Sequence, residues 1–248
     1  MRTTAIIAAG GIGQRLGRAG GKQLLEVAGK PVAAWAIQAV ADARGVDAVV
    51  VACDPQRVAG YETQLRAAVT TAKPLTFVAG GATRSASIAA ALKQVPVDTD
   101  FVLIHDGARP LVTTALVEAA LDALCSAGEE IAGVIVGHPV SDTLKKTQGS
   151  GKGVARVRER APLPADLHVI AATVTREGLW QVQTPQVFRA AALRDAYARA
   201  AQDATDDAGI LEAAGFELAL LEGPRDNLKV TVSEDVGIIE ALLKARRS

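Results

Sequence analysis

The chain alternates short, uniformly apolar segments with helical segments along most of its length. Five strands are predicted, over Thr4–Ala9, Ala48–Ala52, Leu75–Ala79, Phe101–His105 and Ile131–Val136. Helices are predicted over Pro31–Arg44, Arg84–Gln94 and Ala115–Ala127, with a last one after Ser233. Strands rich in Val and Ile without polar alternation are typical of parallel sheets that are covered on both faces. The alternation therefore predicts an α/β fold with a doubly wound, mostly parallel sheet, whose ligands bind beyond the carboxyl ends of the strands.

The loop after the first predicted strand combines many glycines with two cations. Six glycines between Gly10 and Gly21 surround Arg15 and Lys22. Glycine lets backbone N–H groups come close to an anion, and the cations neutralise its charge, so the loop predicts a polyphosphate site. A glycine-rich surface loop that binds no ligand is the alternative.

Two familiar glycine motifs do not fit this loop. A dinucleotide-binding fingerprint that starts at Gly11 needs its third glycine where Leu16 stands. A phosphate-binding P-loop that ends in Gly21 and Lys22 needs a glycine at Leu16 and a Ser or Thr at Gln23. Both mismatches argue against a dehydrogenase and against a P-loop ATPase.

The composition is that of a compact soluble enzyme. With 248 residues, of which 49% are hydrophobic and 22% charged, a single domain over residues 1–248 is expected. The 27 basic and 27 acidic side chains balance, so no net field attracts nucleic acid. Cys53 and Cys125 are expected to be small core residues, and no Cys/His metal spacing or Ser–His–acid set is evident. No apolar run is long enough for a signal sequence or a membrane span, so we expect a cytoplasmic protein with no membrane partner.

The segment from His138 to Trp180 interrupts the alternation. It contains a basic, glycine-rich stretch and then the β-rich piece His168–Thr175, without any helical period. A structureless loop of this length is uncommon, so we predict a β-arm that projects from the domain over about residues 138–180. The alternative for Gly149–Pro164 is a partly disordered insertion.

Two strand ends carry chemistry-bearing side chains. His105 to Pro110 follows the fourth predicted strand, and its Asp106 and Arg109 can hold polar groups, a phosphate or a metal-bound water. An ion pair that closes a turn is the alternative, and His105 is expected to be a packed strand residue. After the third strand, the residues from Gly80 to Ser87 offer backbone and hydroxyl groups to a base or ribose, although an ordinary capped turn has the same composition.

Three further motifs are less informative by themselves. Thr184-Pro185-Gln186 precedes a predicted helix and Thr205-Asp206-Asp207 begins another, so each is first interpreted as a cap. The segment from Arg225 to Thr231 is predicted to form a short strand, with Lys229 facing solvent by default.

Together, short motifs in the right order over nearly the whole chain resemble the 2-C-methyl-D-erythritol 4-phosphate cytidylyltransferase family. They are Ala8-Ala9-Gly10, Gly13-Gln14-Arg15, Gly21-Lys22-Gln23, His105–Pro110, Asp142-Thr143, Thr175-Arg176, Leu179-Trp180, Gln183–Gln186, Thr205–Asp207 and Asp226–Thr231. The resemblance implies a Rossmann-like nucleotidyltransferase that converts CTP and methylerythritol 4-phosphate into a CDP-alcohol and pyrophosphate, a step of the non-mevalonate isoprenoid pathway.

The resemblance also implies roles for individual residues. Arg15 and Lys22 match the groups that stabilise the transition state, and Arg176 and Lys229 match those that position the attacking phosphate. Positions around the cytosine and the phosphates fall on Ala8, Ala9, Gly10, Gly13, Gly81 and Ser87. Contacts to methylerythritol phosphate fall on Asp106, Arg109, Thr143 and Thr205. Two departures stand out: Ala82 replaces a residue that is often acidic in the family, and the stretch between Thr143 and Arg176 is unusually long.

Cofactor and partner expectations follow from the same resemblance. Mg²⁺ is expected to be held mainly by the CTP phosphates, with no metal-binding residue of the protein. Family members are homodimers with crossing arms, so Thr143 and Arg176 are expected to serve the neighbour's site. Two other functions stay open: a ribitol 5-phosphate cytidylyltransferase of the same architecture, and a CTP-binding regulator without turnover.

Overall fold

The structure is a computed structural model that describes residues 1–11, 21–148, 167–199 and 206–246. The chain divides into two compact units. The larger unit combines Met1–His138 with Val182–Ser248, and the smaller unit is Pro139–Gln181. Gly13, Arg15 and Thr205 lie outside the described residues, as does the segment from Gly149 to Pro164, for which a partly disordered insertion is the alternative to a β-arm.

The larger unit contains a seven-stranded sheet. In spatial order its strands are β11 (Glu217–Glu222), β7 (Ile131–Pro139), β10 (Trp180–Arg189), β6 (Phe101–Asp106), β1 (Thr3–Ala9), β4 (Ala48–Cys53) and β5 (Leu75–Ala79). β1 pairs in parallel with β4 and β6, β4 with β5, and β11 with β7, whereas β10 is antiparallel to β6. The sheet is therefore mixed but mostly parallel, as predicted.

Helices cover both faces of this sheet. They are α1 (Val32–Asp42), α2 (Val58–Ala68), α3 (Arg84–Leu92), α4 (Thr114–Ser126), α5 (Ala190–Arg199) and α6 (Asp207–Ala213). The last helix, α7 (Ser233–Ala245), packs instead with Val27, Val32 and Leu111 in a separate apolar cluster. Successive side chains of a strand point to opposite faces, so Ile7 packs with α1, α2 and α4 while Ile6 packs with α3, α5 and α6. These two apolar layers confirm the doubly wound arrangement.

The five strands and four helices that the alternation predicts are all present, with ends that shift by up to three residues. Within the seven-stranded sheet and its covering helices, strands β10 and β11 and helix α2 are not among the predicted elements. β10 runs between β6 and β7 although it contains Pro185, a residue that is rare in central strands because it lacks a backbone N–H. Thr184 and Gln186 therefore belong to a strand, and their interpretation as a helix cap is wrong.

Two other expectations are wrong. The segment from Arg225 to Thr231 is irregular rather than a strand, because side chains from elsewhere bind the backbone oxygens of Asn227 and Val230 that a neighbouring strand would need. Cys125 is exposed on α4, since the buried face of that helix ends at Leu124. Cys53 is buried at the end of β4, as expected.

The smaller unit contains the predicted β-arm. Strand β8 (Leu144–Thr147) pairs antiparallel with β9 (Ile170–Val174). Lys145 Nζ donates to Thr173 Oγ1 at 2.6 Å across this pair. Arg176 donates to the carbonyl oxygen of Ser141, two residues before Thr143. The two predicted arm residues therefore belong to neighbouring parts of one unit.

A short hairpin and a turn of 3-10 helix complete the larger unit. β2 (Glu26–Val27) and β3 (Lys30–Pro31) form the hairpin, and the 3-10 helix covers Lys22–Leu24. Both lie between β1 and α1 in the chain, after the glycine-rich loop. They fix Lys22 at the start of a regular segment.

Candidate active site

A cavity of about 570 Å³ opens at the carboxyl ends of β1, β4, β5 and β6. This is the edge at which doubly wound sheets bind their ligands. The residues that line it are Ala8, Gly10, Gly11, Lys22, Gln23, Asp54, Pro55, Gln56, Gly81, Ala82, Thr83, Arg84, Ser87, Asp106, Ala108 and Lys229.

One wall of the cavity is backbone that only glycine permits. A Cβ atom at Gly80 would lie 2.8 Å from the Cys53 carbonyl oxygen, and one at Gly81 would lie 2.5 Å from the Cβ of Ala86. Real Cβ atoms do not approach so closely, so these positions allow the loop after β5 to fold onto the start of α3. Backbone groups are consequently exposed to a ligand on this side.

Ser87 fixes that wall. Its Oγ accepts a hydrogen bond from the Gly81 N–H at 3.0 Å and donates to the Thr83 carbonyl oxygen at 2.9 Å. Thr83 in turn caps α3 by accepting from the Ala86 N–H at 3.1 Å. The wall is therefore preorganised by hydrogen bonds within the same loop and helix start.

The opposite wall carries a compact group of charges around Asp106. Lys229 Nζ donates to Asp106 Oδ2 at 2.7 Å, and Arg84 Nε donates to Asp106 Oδ1 at 3.2 Å. Arg109 Nε lies 3.7 Å from Oδ2. Three cations thus surround one carboxylate that is 6% exposed.

Those cations determine the charge of Asp106. Burial by itself would raise the pKa of the carboxyl, but the nearby charges of Arg84, Lys229 and Arg109 outweigh it and hold the pKa well below its usual range. Asp106 is therefore ionised at neutral pH. Positive charge is in excess around Asp106, which suits the phosphate group of a ligand.

His105 lies beneath this group and is fully buried. Its Nδ1 is 3.0 Å from the Thr184 hydroxyl, and its Nε2 is 3.2 Å from the Arg109 carbonyl oxygen. Thr184 Oγ1 also accepts from the Asp106 N–H at 3.0 Å. Burial lowers the pKa of His105 to about 4, so the ring is neutral at pH 7. It supports the end of β6 and does not face the cavity, as expected.

The irregular segment that carries Lys229 is tied to the loop after β6. Arg109 donates to the Asn227 carbonyl oxygen at 2.8 Å, and the Val230 N–H donates to the Ala108 carbonyl oxygen at 2.8 Å. The buried side-chain amide of Asn227 donates to the Thr184 carbonyl oxygen at 2.8 Å. These bonds bring Lys229 to the cavity, so the expectation that its side chain faces solvent is wrong.

Lys22 links the glycine-rich loop to the same segment. Its Nζ donates to the Val230 carbonyl oxygen at 2.8 Å, and its side chain lines the cavity. Lys22 and Lys229 therefore belong to the same cavity although 207 positions separate them in the chain.

Seven of the predicted site residues line this one cavity: Ala8, Gly10, Lys22, Gly81, Ser87, Asp106 and Lys229. Ala9 lies in the core, and Arg109 contacts Asp106 from outside the lining. Thr143 and Arg176 belong to the smaller unit. Nothing is described for Gly13, Arg15 or Thr205.

The cavity also has lining residues that were not predicted, chiefly Arg84, Gln23 and Asp54. Arg84 stands in the motif after β5, whose backbone and hydroxyl groups, but not its cation, are predicted to contact a ligand. A cation at the first position of a helix gives no sequence signal that it will contact a carboxylate on another strand. Among the described residues, no helix is long and apolar enough to cross a membrane.

Comparison with known proteins shows the family. The family model "IspD: 2-C-methyl-D-erythritol 4-phosphate cytidylyltransferase" matches residues 3–245. The chain belongs to this family. Membership confirms the predicted family and makes the chain a cytidylyltransferase of isoprenoid biosynthesis by the non-mevalonate route.

Relatives with the same description match over nearly their full length. The 2-C-methyl-D-erythritol 4-phosphate cytidylyltransferase of Prochlorococcus marinus (strain MIT 9313) is 35% identical over 244 residues, which cover 97% of this chain and 98% of the relative. The enzyme of Thermosynechococcus vestitus is 34% identical over 245 residues, with 98% and 95% covered.

Solved structures show the same fold. The crystal structure of 2-C-methyl-D-erythritol 4-phosphate cytidylyltransferase from Thermus thermophilus has a TM-score of 0.73 and 31% identity, covering 98% of this chain and all of that one. A 4-diphosphocytidyl-2C-methyl-D-erythritol synthase from Anaerococcus prevotii has a TM-score of 0.77 at 22% identity, which supports the fold alone.

Proposed function

We propose that the cavity at the carboxyl edge of the sheet is where CMP passes from CTP to 2-C-methyl-D-erythritol 4-phosphate. The observation that carries this proposal is the convergence of Lys22, Lys229 and Asp106 on one cavity whose other wall is exposed glycine backbone. A polyanionic nucleotide needs cations and close backbone N–H groups, and a polyol needs a carboxylate that can accept hydroxyl hydrogen bonds.

Each of the two walls suits a different substrate. The Gly80–Ser87 wall offers backbone groups and a fixed hydroxyl, which suit the base and ribose of CTP. The Asp106 wall offers Lys229 and a buried carboxylate, which suit the phosphate and hydroxyl groups of the acceptor. Ala8 and Gly10 at the end of β1 lie between these walls along the sheet edge.

The chemistry of the transfer requires charge stabilisation more than proton transfer. A phosphate oxygen of the acceptor attacks the α-phosphorus of CTP, the bond from that phosphorus to the bridging oxygen breaks, and pyrophosphate leaves. Because the nucleophile is already anionic, no strong base is needed, and the neutral, buried His105 is not called upon. Lys22, with Arg15, would stabilise the developing charge, while Lys229 and Arg176 would orient the attacking phosphate.

Magnesium fits the site as a partner of the nucleotide. Among the described residues, no three acidic, histidine or cysteine side chains lie close enough together to hold a metal ion, and Asp106 is already paired with cations. Mg²⁺ would therefore be held by the triphosphate oxygens, where it supplies further neutralisation of phosphate charge.

A dimer that completes the site is part of the proposal. Strand β9 of the arm is exposed along its length, and the apolar Ile170 and Val174 on it are 58% and 37% exposed. Apolar side chains on an exposed hairpin favour burial against a second copy. We propose that Thr143 and Arg176 serve the neighbour's site. Residues 1–248 would then work as one domain that includes this arm, and the cytoplasm is the proposed location of the protein.

Pyrophosphate release tests the reaction. The protein is assayed with CTP and Mg²⁺ and with either 2-C-methyl-D-erythritol 4-phosphate or ribitol 5-phosphate. Release with the first acceptor alone supports the proposal. Release with ribitol 5-phosphate alone would mean that the acceptor of this site is a different polyol phosphate. Release with neither contradicts the proposed transfer.

Complementation tests the shared site. Lys22→Ala and Arg176→Ala are each expected to be nearly inactive as homodimers. After co-refolding in equal amounts, half of the dimers are mixed and one of their two sites is intact, so about a quarter of wild-type activity is expected. Lack of recovery in a mixture shown to contain mixed dimers would place Arg176 in its own chain's site.

A further inference from the structure

A buried carboxylate outside the cavity is connected to the Asp106 group. Asp207, the first residue of α6, is fully buried, and its Oδ1 accepts from the Tyr197 hydroxyl at 2.5 Å. Its Oδ2 lies 2.7 Å from Arg84 Nη1. Burial raises the pKa of Asp207, and the Arg84 guanidinium and the Tyr197 hydroxyl oppose this rise because they stabilise the carboxylate.

Arg84 joins this carboxylate to the cavity. From the first position of α3 its guanidinium contacts Asp207 on one side and Asp106 Oδ1 on the other, at 2.7 and 3.2 Å. Lys229 occupies the second oxygen of Asp106 at 2.7 Å. The contacts therefore run from Tyr197 through Asp207, Arg84 and Asp106 to Lys229, and only the last three residues line the cavity.

Sharing Arg84 between two carboxylates restricts how it binds Asp106. A guanidinium with one carboxylate partner prefers a bidentate arrangement that occupies both oxygens. Here Asp207 lies at Nη1 and Lys229 at Oδ2 of Asp106, and Arg84 contacts Asp106 through Nε at Oδ1. The orientation of Asp106 toward an acceptor thus depends on a residue that no substrate can touch.

We propose that Asp207, held by Tyr197, is a positioning residue for the acceptor side of the site: it anchors Arg84 so that Asp106 and Lys229 keep the arrangement that binds the acceptor phosphate and hydroxyls. The inference rests on the proposed assignment of Asp106 and Lys229 to the acceptor. It predicts that loss of the Asp207 carboxylate weakens acceptor binding while CTP binding, on the Gly80–Ser87 wall, is retained.

The test compares Asp207→Asn with Asp206→Asn by steady-state kinetics on the full-length protein. Asp206 is the neighbouring residue, and its two oxygens accept from the Gly209 N–H at 3.0 Å and from Gln186 Nε2 at 3.1 Å. The first of these bonds caps α6, and Asn keeps that capping oxygen. For Asp207→Asn the acceptor KM is expected to rise roughly tenfold, with less than a twofold change in the CTP KM. For Asp206→Asn both values are expected to stay within twofold of wild type.

Two further variants separate positioning from simple loss of structure. Tyr197→Phe removes only a hydroxyl, so it is expected to fold and to raise the acceptor KM roughly threefold. Arg84→Lys keeps the charge but lacks the planar fork whose Nε and Nη1 contact the two carboxylates. It is expected to raise the acceptor KM as Asp207→Asn does, with no further rise in the double variant. Additive effects in that cycle would overturn the inference.

The results also distinguish this inference from the site assignment on which it rests. If Asp106→Asn and Lys229→Ala leave the acceptor KM unchanged, the assignment of the acceptor wall is wrong. If they raise it while folded Asp207→Asn and Tyr197→Phe do not, or if both substrates weaken equally in those variants, Asp207 is a structural residue and the positioning role is disproved.

Discussion

Lys229 Nζ lies 2.7 Å from Asp106 Oδ2, although 123 positions separate the two residues in the chain. The lysine arrives on an irregular segment and the carboxylate at the end of β6. Both groups of this ion pair belong to the protein, so the pair holds the ammonium group of Lys229 at the cavity before an acceptor enters. A phosphate that binds there replaces water around a cation whose position is already fixed, which lowers the cost of binding.

Replacement of Lys229 tests that relationship. Lys229→Ala is expected to lower kcat/KM for the acceptor by roughly two to three orders of magnitude, because one preorganised cation is lost from the attacking phosphate. The fold should persist, since Arg84 and Arg109 still neutralise Asp106. Lys93 at the end of α3 lies outside the cavity and provides the control, so Lys93→Ala should behave as wild type. A Lys229→Ala enzyme with unchanged kcat/KM would remove this residue from the mechanism.

Lys22 should affect the chemical step more than nucleotide binding. Lys22→Ala is expected to lower turnover by roughly two to three orders of magnitude, as for the loss of one donor that acts on developing charge. Its present bond to the Val230 carbonyl oxygen, 2.8 Å long, is one that water can replace, so little stability should be lost. Turnover at saturating CTP and thermal unfolding measure the two effects. Near wild-type turnover in the folded variant would exclude the proposed role.

The sequence predicts the parts of this fold that depend on apolar periodicity. Strand β1 is found because Ile6 and Ile7 are apolar on both faces, and both faces are covered in the structure. Strand β10 is missed because Pro185 and the polar Gln183 and Gln186 disguise it. Those polar side chains are buried and bonded to residues far along the chain: Gln183 accepts from Asn227, and Gln186 donates to Asp206. No local sequence pattern indicates hydrogen-bond partners that are distant along the chain.

The residues of the candidate site are likewise only partly predictable from the sequence. The resemblance to the family identifies Lys22, Asp106 and Lys229, which the structure brings to one cavity. It does not identify Asp207, because an acidic residue in the first turn of a helix is favourable through the helix dipole alone. That Asp206 is the cap and Asp207 the buried partner of Arg84 depends on how α6 packs against the sheet, which only the tertiary structure determines.

His105 should make stability depend on pH in a defined window. Its folded-state pKa of about 4 lies below the ordinary value of 6.5, so between these values the unfolded chain binds more protons and stability rises with pH. The effect amounts to about 3 kcal/mol in full and is complete above pH 6.5. The free energy of unfolding is measured in urea from pH 4 to about 7. Over this range the wild type should gain this amount of stability relative to His105→Gln, in which the other titrating groups are unchanged. Parallel curves for the two proteins would show that the ring is not buried in its neutral form.

The glycine wall offers a matched pair of substitutions with opposite expected signs. At Gly81 a methyl group would meet the Cβ of Ala86 at 2.5 Å, so Gly81→Ala must push the loop away from α3 and distort the backbone that faces the nucleotide. We expect a CTP KM raised roughly tenfold and about 1 to 3 kcal/mol less stability, the usual cost of overpacking. Gly60, inside α2, has no atom within 4 Å of such a methyl group, so Gly60→Ala should add about 0.5 to 1 kcal/mol of stability without changing either KM. Urea unfolding and steady-state kinetics on both variants measure these effects. If Gly81→Ala bound CTP as the wild type does, the backbone of this wall would not contact the nucleotide, and the base and ribose would have to be assigned to another part of the cavity.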